Sequence, residues 1–253
     1  ELWLTEALRF ADGSPATTAK ATTYLGSVES DRANYPLALS LLEDAVDLSR
    51  TADEPRRGAF ALSMIGRIHL LRGDPDLAAQ QLDASIALAE RDHWLAFLPW
   101  PQAMRGQVEL LRGSVPEAAE LLQQAFARAC QLGDPCWEGM SARGLALVAE
   151  ASGETDRAFE VLADARARTN RLADPYVWLD AYILDAQCTL GRRHDHPDTK
   201  AWVDSMQRLA SRTGMKELVV RALLHGAALG GTGDADAAAM LAAEIDNPAL
   251  KHH

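Results

Sequence analysis

The stretch Leu70-Leu71-Arg72-Gly73-Asp74-Pro75-Asp76-Leu77-Ala78-Ala79-Gln80-Gln81-Leu82 returns forty residues later as Leu110-Leu111-Arg112-Gly113-Ser114-Val115-Pro116-Glu117-Ala118-Ala119-Glu120-Leu121-Leu122. Carried outward in both directions without a gap, the same interval finds a small residue at Gly26, Gly66, Gly106, Ala146, Ala186 and Gly226. A second column runs Ala38, Ala78, Ala118, Ala158, and a third Leu42, Leu82, Leu122, Leu162. Independent columns that hold one period over most of a chain mark stacked structural units, a solenoid in which each unit packs on its neighbours.

Hydrophobic residues make up 48% of the chain and aromatic residues only 6%, so the apolar content is largely alanine and leucine, both strong helix formers. The expectation is an all-α chain. Its 253 residues exceed most single compact cores, a limit that a solenoid escapes. A formal net charge of -11 argues against a grip on a phosphate backbone, which needs clustered Lys and Arg to displace counterions, so no direct nucleic-acid contact is expected. No apolar run approaches the roughly 20 residues of a membrane span, and no charged-then-apolar leader opens the chain. The reading is a cytoplasmic protein without membrane contact. Cys130, Cys136 and Cys188 have neither CxxC nor Cys/His spacing, and so predict no disulfide frame and no zinc site.

Each repeat reads as two antiparallel helices, A then B. The first full repeat places helix A over about residues 17–29, a turn at 31–34 and helix B over about 35–50, with Leu37, Ala38, Leu41, Leu42, Ala45 and Val46 on one face. Asp53-Glu54-Pro55 stops it. In the second repeat Gly73 stands where a left-handed cap is wanted, and Asp74-Pro75 supply N-cap and first residue of helix B. In the third, Gly113 ends helix A and Ser114 with Glu117 predicts a capping box. In the fourth, helix A ends at Gly153 and helix B begins near Thr155. Gly133-Asp134-Pro135 and Ala173-Asp174-Pro175 connect successive repeats. In the fifth repeat the turn lengthens to 191–197 and helix B starts about three residues late, with Trp202, Met206 and Leu209 as its stripe. A last pair turns at Gly233 and ends near Ile245. The glycine column predicts that helix B packs on bare helix A backbone through the alanine column, with the leucines filling the space between pairs. Leu2 precedes Leu42 by forty residues, so the opening helix reads as the second half of a repeat, and residues 1–250 as one repeat domain of a longer protein. Residues 251–253 read as a tag remnant.

A small residue at the eighth place of helix A, alanine twelve later and a large apolar residue sixteen later resemble tetratricopeptide-like repeats, here about six residues longer than the usual unit, over Leu2 to Ile245. The fold implied is a right-handed α-solenoid of antiparallel helix pairs. Trp3-Leu4-Thr5-Glu6-Ala7-Leu8, Ala19-Lys20-Ala21, Tyr24-Leu25-Gly26, Asn34-Tyr35-Pro36-Leu37-Ala38 and Leu41-Leu42-Glu43-Asp44-Ala45 resemble the helical-repeat region of large bacterial signalling ATPases, among them LuxR-type and antibiotic-regulatory transcription factors. The sequence departs from them at Ala33, where glycine is usual. The resemblance implies a non-catalytic arm that binds a small-molecule inducer or a protein segment, in one full-length protein with ATPase and DNA-binding domains. A stand-alone scaffold that holds a protein or peptide segment is the alternative.

In tetratricopeptide superhelices the A helices line the concave face, and the matching positions are the candidate binding residues. They are Phe60, Ser63 and Arg67 on the second A helix, Trp100 and Gln107 on the third, Met140 and Arg143 on the fourth, and Asp180, Ile183 and Gln187 on the fifth. Their mixture of apolar, aromatic and charged groups suits a small organic ligand or a peptide. Trp94 and Phe97 add aromatic character near Trp100, as ligand contacts or as fillers between pairs. Arg67 and Arg143 pair with an acidic ligand group, or with Glu109 or Asp180. No catalytic residue, metal or cofactor is assigned. His194-Asp195-His196 lacks the further ligands of a closed site, His69 and His225 fall inside helix A patterns, and neither GxSxG nor GxxxxGK[ST] occurs.

Overall fold

The computed structural model describes every residue except 1, 12, 172, 174, 175 and 253, so the Ala173-Asp174-Pro175 connection lies largely outside the described residues. Its α-helices are α1 (Leu2–Arg9), α2 (Pro15–Asp31), α3 (Tyr35–Thr51), α4 (Pro55–Leu71), α5 (Pro75–Arg91), α6 (Pro99–Arg112) and α7 (Val115–Leu132). They continue with α8 (Pro135–Ala151), α9 (Thr155–Thr169), α10 (Val177–Arg193), α11 (Thr199–Thr213), α12 (Lys216–Ala228) and α13 (Asp234–Ala243), and a short 3-10 helix covers Pro248–His252. The described residues contain no strand, and none of these helices is long and apolar enough to cross a membrane.

Helices pair as α2/α3, α4/α5, α6/α7, α8/α9, α10/α11 and α12/α13. The even-numbered A helices also pack on one another in succession, α2 on α4 through to α10 on α12, and no comparable contact joins successive B helices. A row that is closer on its A side curves with A inside, which makes α2, α4, α6, α8, α10 and α12 the inner layer.

Turn chemistry explains the helix boundaries. Proline occupies the first or second position of α2 through α8, where its missing N–H costs no hydrogen bond. Pro55 therefore starts α4; the stop after α3 comes from Asp53, whose φ is +54°. Asp74 Oδ1 accepts from the Leu77 N–H at 3.1 Å, as its sequence position predicts. Ser114 caps α7 by position only, without the side-chain hydrogen bond of a capping box. Left-handed backbone recurs in the turns from A to B helix at Ala33 (φ +61°), Gly73 (+77°), Gly113 (+81°) and Gly153 (+81°). The fifth repeat differs from its reading. Helix α10 continues through Gly191 to Arg193, the turn covers 194–198, and α11 begins at Thr199.

The glycine column has a sharper partner than the sequence suggests. A Cβ on Gly26, Gly66 or Gly106 would lie 2.6–2.7 Å from Cγ of Leu42, Leu82 or Leu122 respectively. The leucines thus seat on bare backbone inside their own pair, with no exposure at all, and the alanine column lies beside them. Leu122 also reaches Gly144 of α8, and so joins pair to pair. Leu2 of α1, in the same column, is 71% exposed where Leu42 is fully buried.

Two stability outcomes follow from this packing. Ala33→Gly relieves a left-handed alanine and should raise urea-unfolding stability by about 0.5–1 kcal/mol. Gly66→Ala gains about 1 kcal/mol of helix propensity but must displace Leu82, so a net loss of about 1–3 kcal/mol is expected. In a Leu82→Ala background the same Gly66→Ala change should become neutral or stabilising; an unchanged penalty there would show that the leucine is not what excludes the side chain.

Candidate functional site

Inward-pointing residues of the A helices meet one another rather than lining an open groove. Of the ten candidates, Ser63, Arg67, Trp100, Gln107, Met140, Arg143, Asp180, Ile183 and Gln187 are buried and Phe60 is half-buried. The Trp100 indole N–H donates to Ser63 Oγ at 3.1 Å, and that hydroxyl donates to the Phe60 carbonyl at 2.7 Å. Arg143 donates to Gln107 Oε1 and to the Tyr182 carbonyl, both at 2.9 Å, and its guanidinium lies 3.4 Å from the Tyr182 ring centroid. Gln107 Nε2 stands 3.7 Å from Met140 Sδ. Arg67 pairs with Asp31 at 2.8 Å and stacks on Trp178 at 3.9 Å. Trp178 stacks in turn on Tyr182 at 4.5 Å and meets Trp100 edge-on at 6.5 Å. The partners expected for the two arginines are therefore engaged elsewhere. Glu109 binds Arg105 and Arg112, and Asp180 turns outward to Arg166 at 2.9 Å. Trp94 stacks on Phe97 at 4.2 Å beside Phe60, as a filler between α4 and α6.

Curvature brings the last pairs back against the first ones. The Tyr35 hydroxyl of α3 donates to the Glu217 carboxylate of α12 in a short hydrogen bond. Tyr176 donates to Asp31 at 3.2 Å. Asn247, fully buried just before the 3-10 helix, donates to the Leu71 carbonyl at 3.2 Å and to Glu217 at 3.0 Å, and Arg72 pairs with Asp246 at 3.1 Å. The residues after α13 thus close the superhelix.

These bridges surround a second set of inner-face groups, of which the sequence singled out only His225, as a residue inside a helix A pattern. Arg221 binds Glu217 at 2.8 Å and Asp185 at 3.3 Å, and His225 Nε2 lies 2.9 Å from Asp185 Oδ1. Burial pushes the Asp185 carboxyl upward, but Arg221 and His225 outweigh it and hold the group well below the usual carboxylate range. Burial opposes the Arg67 charge too, and Tyr176 with Asp31 keeps it fully protonated. Burial raises the Tyr35 hydroxyl, helped by the Glu217 charge, and pushes the Cys188 thiol up to about 12, so neither is an accessible nucleophile. A signal for this set was present: Asp185 and His225 stand one repeat apart, in one column of stacked helices.

A cavity of about 1000 Å³ lies along this face, bounded by α10, the turn into α11 and its first residues, α12, the start of α13 and Leu250. Among the described residues no group of three or more His, Cys, Asp or Glu is placed to hold a metal ion, and His196 of the two-histidine turn stacks on Trp202 at 4.6 Å and lies tilted against Phe159 at 4.5 Å.

Residues 17–91 match the family model described as tetratricopeptide repeat. A comparison with curated protein sequences finds no match. Among solved structures, the chain is similar to a Rap protein complexed with Competence and Sporulation Factor, with a TM-score of 0.74 and 11% identity over 92% of this chain and 65% of that one. It is similar to aspartyl phosphate phosphatase F from Bacillus subtilis with a TM-score of 0.59 and 13% identity, over 96% of this chain and 66% of that one. BtubC (BKLC) from P. vanneervenii gives a TM-score of 0.59 and 14% identity over 83% and 87% of the two chains. The chain spans just under two thirds of the length of the first two. At these identities the likeness is one of fold, and the fold is a tetratricopeptide-like helical-repeat solenoid.

Proposed function

We propose that this chain is the non-catalytic sensing arm of a bacterial transcriptional regulator, cytoplasmic, binding a small-molecule inducer or a protein segment through the inner face of its A helices. The observation that carries this reading is the composition of that face. Four A helices, α4, α6, α8 and α10, converge on stacked aromatic rings and guanidinium groups, with a cavity of about 1000 Å³ further along at α10 and α12, whereas the outer helices present mainly solvated side chains. The stretches of the first two pairs that resemble signalling-ATPase repeats supply the regulatory context, with ATPase and DNA-binding domains in the same full-length protein. The Rap protein of this fold, solved in complex with Competence and Sporulation Factor, supports the use of such an array to bind a partner factor.

The closing contacts suggest how binding is passed on. Tyr35–Glu217, Asn247–Leu71 and Arg67–Trp178 are side-chain bridges across the curve, not helix-on-helix packing. A ligand that binds the closed and opened forms with different affinity shifts the balance between them by that difference. The test is a thermal-shift screen against metabolites and peptides, followed by hydrogen exchange on each stabilising compound. Saturation at 100 times Kd should add about 2.7 kcal/mol, with new protection concentrated in α8, α10 and α12. Protection confined to the outer helices α5, α7 and α9 would overturn the reading.

A further inference from the structure

The chain carries a formal net charge of -11, yet its large cavity gathers Arg192, Arg193, Lys200 and Arg221 against only Asp185 and Asp195. Three of the four cations are already neutralised. Arg193 pairs with Glu150, Lys200 with Asp204 at 3.1 Å, and Arg221 with Glu217 and Asp185. Arg192 is different: it is exposed in the cavity wall and makes no ion pair with any described carboxylate.

Its one polar contact fixes its position. Arg192 Nη1 lies 3.1 Å from Nδ1 of His225. A guanidinium only donates, so Nδ1 must accept, which puts the imidazole proton on Nε2, facing Asp185 Oδ1 at 2.9 Å. Asp185 thus orients the His225 ring through Nε2, and His225 holds one arm of Arg192 while the rest of the planar fork stays free. That fork matches a carboxylate in geometry and in charge. The N-terminus of α11, at Thr199 and Lys200, opens on the same cavity and adds the partial positive charge of a helix start. Leu224, Ala227, Ala228, Leu229 and Leu250 form the apolar wall.

We propose that this cavity binds an organic monocarboxylate with an apolar body, its carboxylate on Arg192 and its body along Leu224, Leu229 and Leu250. One unpaired cation balances one negative charge; a dianion would leave its second charge facing Asp185 and Asp195. The proposal rests on the reading of the inner face as the binding surface and names the chemistry of what it takes. A free organic acid and the C-terminus of an apolar peptide both offer this chemistry.

Calorimetric titration of the whole chain with octanoate and with 1-octanol tests it. Octanoate should bind one to one and octanol at least tenfold more weakly. Arg192→Gln should lose at least tenfold in octanoate affinity with its melting temperature unchanged, since the side chain is exposed, and Arg192→Lys should fall between. An apolar pentapeptide that displaces octanoate, and fails to do so once its C-terminus is amidated, assigns the carboxylate to a peptide; octanoate that outcompetes the free peptide assigns it to a small acid. Equal binding of octanoate and octanol, no binding of octanoate, or undiminished binding by Arg192→Gln overturns the proposal. Those results leave the inner-face reading standing, because that reading fails by a different sign, protection on the outer helices.

Discussion

The contact of a leucine with bare backbone sets the geometry of the whole array. With Leu42, Leu82 and Leu122 seated on Gly26, Gly66 and Gly106, the two helices of a pair approach more closely than any side chain on the glycine would allow. Glycine inside a helix costs about 1 kcal/mol against alanine, a loss offset by full burial of a leucine, which contributes about 1.5–3 kcal/mol. Because the first three pairs are built on the same contact at the same interval, each adds the same small rotation, and curvature accumulates along the chain.

Accumulated curvature is what makes the inner face polar and yet closed. Side chains that would face water in a straighter array are brought against those of distant repeats, so each buried charge requires a partner. Arg67 finds Asp31 and the face of Trp178; Asp185 finds Arg221 and His225; Glu217 is shared between Arg221, Tyr35 and Asn247. Such pairs add little net stability over apolar residues, but they are intolerant of a missing partner, which favours one closed arrangement over many loosely curved ones.

The periodic part of this architecture was legible because one physical constraint repeats: small, small and large columns mark helix pairs wherever they recur. The inner-face positions were legible too, as places on A helices, but their burial was not. Arg143 and Gln107, Trp100 and Ser63, Arg67 and Asp31, and Arg221 and Asp185 are partners standing 36 or 37 residues apart, one repeat less a helical turn. A search for complementary side chains at that offset would have found them. Tyr35 with Glu217 and Asn247 with Leu71, 182 and 176 residues apart, follow no period. They depend on the total rotation of the array, which no single repeat encodes.

The open cavity lies where the period fails, and the failure has a stereochemical cause. In the fifth repeat Trp202 stands in the leucine column, too large to seat on the backbone at Ala186. Its ring lies instead against Gly191, where a Cβ would come 3.1 Å from the indole. With the bare-backbone site five residues further along, α10 runs on to Arg193, and α11 begins at Thr199 rather than forty residues after the start of α9 at Thr155. Arg192 and Arg193, next to the displaced glycine, stand in the wall of the cavity, and Trp202 continues outward in a stack with His196 and Phe159 that braces the turn. Local departure from an otherwise consistent pattern is where function is to be sought in a repeat protein. Here the residue that breaks the packing column lies against Gly191, the neighbour of Arg192, whose guanidinium makes no ion pair in the cavity wall.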